Sequence, residues 1–138
     1  MKRILAIDYG KKRTGLAITD SQNIIASGLC TVHTKELMTF LENLILKEQI
    51  GIIVIGEPKH LDNTPAQFAA ETDKFTKMVS NKFPDLKIER MDERFTSKMA
   101  FQTMIDSGLK KSDRRNKALV DEISATIILQ SYLETISK

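Results

Sequence analysis

With 138 residues, 41% of them hydrophobic, the chain has the material for one domain, 1–138, with its own core, and it lacks the run of roughly 20 apolar residues that a membrane span requires. A single cysteine, Cys30, excludes an internal disulfide and a thiolate-rich zinc site, and His33 and His60 lie too far apart for ligand spacing, so any bound metal must take oxygen ligands. The net charge of +3 is small, but the cations cluster: KKR at 11–13, and five cations against one acid in KKSDRRNK at 110–117, which together point to a polyanionic partner. No signal-peptide pattern opens the sequence, and a cytoplasmic location is expected.

Three strands come first, at about Arg3–Asp8, Gly15–Thr19 and Ile24–Val32, joined by the GKKR turn and the polar DSQN. Such short links predict an antiparallel meander. Leu37, Phe40, Leu41, Leu44 and Ile45 then recur at helical spacing over 35–47, with the Thr34 hydroxyl as the expected cap. The β-branched run IGIIVIG, closed by Gly56 and Pro58, reads as a strand buried on both faces after a crossover helix. After the polar turn KHLDNTP, a helix is expected over 66–82, then a strand at LKIERM, a helix from Thr96 or Ser97 to Ser107, the basic loop, and a last helix over 118–136. The order βββαβαβαα describes an α/β fold whose sheet is mixed, three antiparallel strands followed by two parallel ones, with helices on both faces.

Asp8, Glu57 and Glu93 each fall at or just past the carboxyl end of a predicted strand, the edge where open α/β sheets bind ligands. Asp121 falls on the same helical face as Ala125, Ile128, Tyr132 and Ile136, within an apolar stripe, with Glu122 toward the stripe's edge. A carboxylate on a packed face needs a partner, either a cation in an ion pair or a divalent metal shared with the strand-end acids, unless it is a first-turn acid favoured by the helix dipole. Carboxylates without histidine or cysteine suit Mg²⁺ or Mn²⁺, which can activate water and stabilise the leaving oxygen of a phosphodiester. Lys11, Lys12, Arg13 and the 110–117 loop would then neutralise phosphates without reading sequence.

DYGKKRTGLA is similar to the D-x-G-x-x-R-x-G-x-A opening of the YqgF family, RuvC-like nucleases of RNase H fold described as candidate Holliday junction resolvases and candidate pre-16S rRNA nucleases. IVIGEPKHLDNT resembles that family's G-x-P strand and turn, MDERFTS its D-E-R strand end, and VDEISATIILQSYL its closing helix, so the likeness spans nearly the whole chain. The resemblance implies an RNase H-like fold and an acidic triad of Asp8, Glu93 and Asp121 that binds the metal and carries catalysis. It also implies tight-turn and close-approach roles for Gly10 and Gly15 and makes Arg13 and Arg94 candidates for phosphate contact or for orienting the acids. Lys11, Lys12, Lys110, Lys111, Arg114 and Arg115 complete the expected substrate-binding set. Ser124 replaces a common alanine and should keep close packing, whereas Glu57, where the family tends to be apolar, is a rival for the middle ligand.

The function expected is therefore metal-dependent hydrolysis of phosphodiester bonds in structured nucleic acid, at the 5′ end of pre-16S rRNA. The alternatives are resolution of Holliday junctions in branched DNA, or RNA binding without catalysis in ribosome assembly. A two-lobed ATP-using enzyme of the actin or sugar-kinase type would need a longer chain. With no heptad pattern, a monomer or weak homodimer is expected.

Overall fold

The computed structural model describes residues 2–57, 69–92 and 117–136. The elements are β1 (Arg3–Asp8), β2 (Arg13–Thr19), β3 (Ala26–His33), a 3-10 turn (Thr34–Glu36), α1 (Leu37–Glu48), β4 (Ile50–Glu57), α2 (Ala69–Lys82), β5 (Lys87–Asp92) and α3 (Lys117–Ile136). They form a sheet of order β3-β2-β1-β4-β5, in which β1, β2 and β3 pair antiparallel while β4 lies parallel to both β1 and β5. The mixed sheet expected from the sequence is present. The helix expected over 96–107 lies outside the described residues.

Alternation along the strands sorts the core into two layers. Leu5 and Ile7 of β1, Leu16 and Ile18 of β2, and Ile53 and Ile55 of β4 pack with Leu37, Leu41 and Leu44 of α1 and Phe75 and Val79 of α2. Ile4 and Ala6 of β1, Ala17 of β2 and Val54 of β4 pack instead with Ala125, Ile128, Leu129, Tyr132 and Leu133 of α3. Both faces of β1 and β4 are thus covered, which is why their sequences read as unbroken apolar runs. On α3 the expected stripe holds at Ala125, Ile128 and Tyr132 but not at Ile136, which is half exposed in the last turn. Ser124 is buried, as a small residue in a close helix–sheet contact should be.

Three local expectations are corrected. β2 begins at Arg13 rather than Gly15, so Arg13 is a strand residue whose face is set by alternation. β3 begins at Ala26, because the Asp20 carboxylate accepts the Ile24 and Ile25 N–H groups (2.7 and 2.9 Å) and holds those residues in the loop. The same hydrogen bonds hold the Asp20 carboxyl below its usual pKa. Thr34 does not cap α1, which is entered through the 3-10 turn with Glu36 at the cap position and no side-chain cap. Its hydroxyl donates to the Gly10 carbonyl at 2.7 Å instead.

The β1–β4 register shifts between Arg3 and Ile4, and the Ile4 N–H donates to Thr19 Oγ1 at 2.9 Å. The Thr19 hydroxyl in turn donates to Asn23 Oδ1 at 2.6 Å, and Asn23 Nδ2 donates to the Lys2 carbonyl at 2.9 Å. Asn23 sits at φ 57°, the left-handed region asparagine tolerates. Thr19→Val keeps the side-chain shape but orphans a buried N–H, and denaturant unfolding should register a loss of about 1–3 kcal/mol. A variant as stable as wild type would show that this hydroxyl does not hold the register.

Candidate active site

The candidate site begins at the end of β1. Ile7 and Tyr9 flank Asp8, and both belong to the α1/α2 side: Ile7 is in that core, and the Tyr9 ring stacks on Phe75 of α2 with centroids 4.2 Å apart and planes 9° from parallel. Such a ring pair contributes about 0.5–1.5 kcal/mol beyond its burial. Alternation therefore turns Asp8 to the other face, the one that Ile4 and Ala6 share with α3. Burial pushes the Tyr9 hydroxyl pKa up, with Glu71 adding to the effect, so Tyr9 stays neutral and serves as an anchor.

Across the ladder Asp8 is paired with Gly15 of β2. Directly paired residues in antiparallel strands have α carbons about 4.5–5.5 Å apart. Gly15 lies against the backbone of α3 at Asp121, and a β carbon there would run into the Asp121 carbonyl. Asp8 and Asp121, far apart in the chain, are thus held on either side of one glycine. Gly10 has the other role read for it, since a β carbon there would strike the Arg13 carbonyl within the turn.

Arg13 lies two residues before Gly15 and so shares its face. Its Nε donates to Asp121 Oδ2 at 3.0 Å, across 108 residues of sequence. Both side chains are partly open to water, 37% and 24% exposed, so the pair contributes at most about 1 kcal/mol to stability. Its larger effect is geometric. The bond fixes the Asp121 rotamer and leaves Oδ1 for another partner. Of the two partners foreseen for Asp121, a cation is therefore present. Glu122 points elsewhere, with its carboxylate against Gly28 of β3.

Lys11 and Lys12 are exposed in the β1–β2 turn. Glu57 ends β4 opposite Asp92 of β5. Glu93, Arg94, Lys110, Lys111, Arg114 and Arg115 lie outside the described residues. Among the described residues no group of three potential metal ligands is gathered. Asp8, paired with Gly15, and Asp121, whose backbone rests on Gly15, are both carboxylates, a donor type that suits a hard divalent cation such as Mg²⁺ or Mn²⁺. Cys30 is no competitor: it packs toward α1, and burial pushes its thiol pKa up, with Glu122 contributing.

The strand order and helix placement are those of the RuvC-like nucleases, built on the RNase H-like fold. The fold matches that of a fowlpox virus resolvase solved with Holliday junction DNA, with a TM-score of 0.65 over 99% of each chain at 16% identity. It also matches Thermus thermophilus RuvC solved with a Holliday junction substrate, with a TM-score of 0.58 over 99% of this chain and 96% of that one at 11% identity. A family model described as "RuvX: Holliday junction resolvase" matches residues 2–135, and the chain belongs to that family. It is 61% identical over 133 residues to a Flavobacterium psychrophilum protein named "Putative pre-16S rRNA nuclease", covering 96% of this chain and 97% of that one. The resemblance read from DYGKKRTGLA and the later motifs is borne out, and with it the nuclease class of the enzyme.

Arg13 orients an acid, one of the two roles expected of it, whereas sequence reasoning missed the Tyr9–Phe75 stack and the role of Thr34, because each depends on how separate elements dock. Gly15 provides a test of that docking. Gly15→Ala must push α3 off β2 or distort the strand, at about 1–3 kcal/mol for an overpacked contact. Urea unfolding should show a lower midpoint at unchanged slope. An alanine tolerated without loss would mean that α3 does not sit this close.

Proposed function

We propose that the chain hydrolyses phosphodiester bonds in structured nucleic acid with the help of a divalent cation, and that its substrate is the 5′ end of pre-16S rRNA. The carrying observation is the convergence of Asp8, Arg13 and Asp121 on one face at the carboxyl end of β1. In this reading Asp8 and Asp121 hold Mg²⁺ or Mn²⁺, with Glu93 as third ligand. In sequence Glu93 comes directly after Asp92, the last residue of β5. When bound, the ion supplies Lewis-acid polarisation of a phosphoryl oxygen and a more acidic water.

The chain's own groups do the rest. Arg13 orients Asp121 through Nε and can turn its terminal nitrogens to a phosphate oxygen in the forked geometry a guanidinium favours. Lys11 and Lys12 add positive charge that favours phosphate beside it, and Arg94, Lys110, Lys111, Arg114 and Arg115 complete the proposed substrate-binding set. The name carried by the 61%-identical relative favours the rRNA substrate, and the family description favours a four-way DNA junction as the second reading. Cleavage of the two substrates side by side, with Mn²⁺ or Mg²⁺, decides between them. We also take 1–138 to act as a single domain.

Asp8→Asn tests the site. Hydrolysis should fall by roughly a hundred- to a thousandfold, as when one preorganised electrostatic group is removed from an active site. Thermal melts should show wild type gaining about 2.7 kcal/mol at a Mn²⁺ concentration a hundred times its Kd, and Asp8→Asn gaining much less. A variant that still cleaves and is equally stabilised would make Asp8 a structural turn residue. Replacing Lys110, Lys111, Arg114 and Arg115 by alanine should reduce the slope of log affinity against log salt by about 1 for each phosphate the loop no longer neutralises. An unchanged slope would remove the loop from the substrate surface.

A further inference from the structure

The turn that carries Lys11 and Lys12 is tied to the far end of β3. The Thr34 N–H donates to the Lys12 carbonyl at 2.9 Å, and the Thr34 hydroxyl, besides donating to the Gly10 carbonyl, lies 2.9 Å from the Thr14 hydroxyl. Arg13 and His33 face each other directly across the β2–β3 ladder. These bonds bring two chain-distant basic pairs, Lys11 with Lys12 and His33 with Lys35, around one open cavity of about 310 Å³ lined, among the described residues, by those four. A neighbouring cavity of about 350 Å³ shares His33 and is walled by Arg13, Thr31, Val32 and Glu36. His33 therefore stands between the three lysines and the arginine that holds Asp121.

Among the described residues no acid lines the first cavity. Arg3, Lys82, Lys87 and Arg90 each pair with an acid at 2.6–3.0 Å, whereas Lys11, Lys12 and Lys35 make no ion pair with any described residue. Three ammonium groups on one concave wall repel each other unless an anion enters. The nearest acid on either cavity wall, Glu36, lines the second cavity and not the first. An exposed imidazole adds a ring N–H that can donate in either protonation state.

We propose that Lys11, Lys12, His33 and Lys35 form a phosphate-binding subsite for the nucleic-acid backbone, on the β3 side of the Asp8–Asp121 edge and continuous with it through Arg13. Thr34 is its positioning residue, since its three bonds fix where the turn's lysines stand relative to His33 and Lys35. The subsite rests on the nuclease reading for the direction of the strand, which runs from the carboxylates past Arg13 and His33 to the lysines. Two joined, open cavities suit successive phosphates of a polymer better than one small anion, which would call for a closed nest of donors. Contacts of this kind hold the backbone without reading bases, so RNA and DNA should feel them alike.

The test is binding without metal. Fluorescent structured RNA and a fluorescent four-way DNA junction are titrated in EDTA over roughly 50–200 mM salt, the range in which phosphate contacts dominate the change in affinity. His33→Ala/Lys35→Ala should bind both probes about three- to tenfold more weakly, with the salt slope reduced by about 1. Lys47→Ala/Lys77→Ala, which removes two cations on α1 and α2, should bind as wild type does. Thr34→Val should weaken binding in the same direction and Thr34→Ser should restore it, with thermal melts confirming that each variant is folded.

Unchanged affinity and slope in His33→Ala/Lys35→Ala overturn the subsite even if cleavage is intact, and a loss confined to one probe overturns its assignment to the backbone. Equal binding by Thr34→Val and wild type removes Thr34 from it. A wild-type protein that binds both probes but cleaves neither with Mn²⁺ or Mg²⁺ defeats the nuclease reading and leaves the subsite standing. One that binds neither defeats both.

Discussion

The site depends on how closely the first described turns of α3 approach β2 at Gly15. Because glycine has no β carbon, the Asp121 backbone can rest on the strand, and three side chains fall into place around it. Asp8 is paired with Gly15, Arg13 precedes it by two residues on the same face, and Asp121 belongs to the helix that covers it. A shift of α3 by one helical turn, about 5.4 Å, would carry Asp121 away from both. The helix is held against that shift by Ala125, Ile128, Leu129, Tyr132 and Leu133 packing on the sheet, so core packing sets the geometry of the polar site.

The sheet supplies the rest of the constraint. β1 is antiparallel to β2 on one side and parallel to β4 on the other, so the carboxyl ends of β1 and β4 lie at one edge together with the start of β2. Asp8 emerges there at the junction of the antiparallel and parallel halves, beside a turn rich in cations. The layers on the two faces differ in purpose. α1 and α2 bury Ile7 and anchor Tyr9, which fixes the strand end, while α3 brings the second carboxylate.

Much of this was legible from residue patterns. The β-branched runs located β1 and β4, the 3.6-residue period located α1 and α3, and an acid inside an otherwise apolar helical stripe singled out Asp121. Ordered motifs also led to the family. Other features were not legible because they depend on tertiary approach. Thr34 has the right residue type and position for a helix cap, but the β1–β2 turn offers its hydroxyl a carbonyl, and that long-range bond prevails over the local one. Arg13 looked like a turn residue because GKKR is polar throughout, yet the ladder with β3 extends β2 back to it. His33 and Lys35 gave no signal at all, since only the closing of that turn onto β3 brings them beside Lys11 and Lys12.

The central claim is that Asp8 and Asp121 share one divalent ion across Gly15. Diffraction from crystals grown with Mn²⁺, recorded just above the manganese absorption edge, tests it directly. The account predicts an anomalous peak about 2 Å from a carboxylate oxygen of each residue, the distance typical of a small hard divalent ion, with Arg13 still bonded to Asp121. Manganese bound elsewhere, or a saturated crystal with no peak touching both carboxylates, would contradict it.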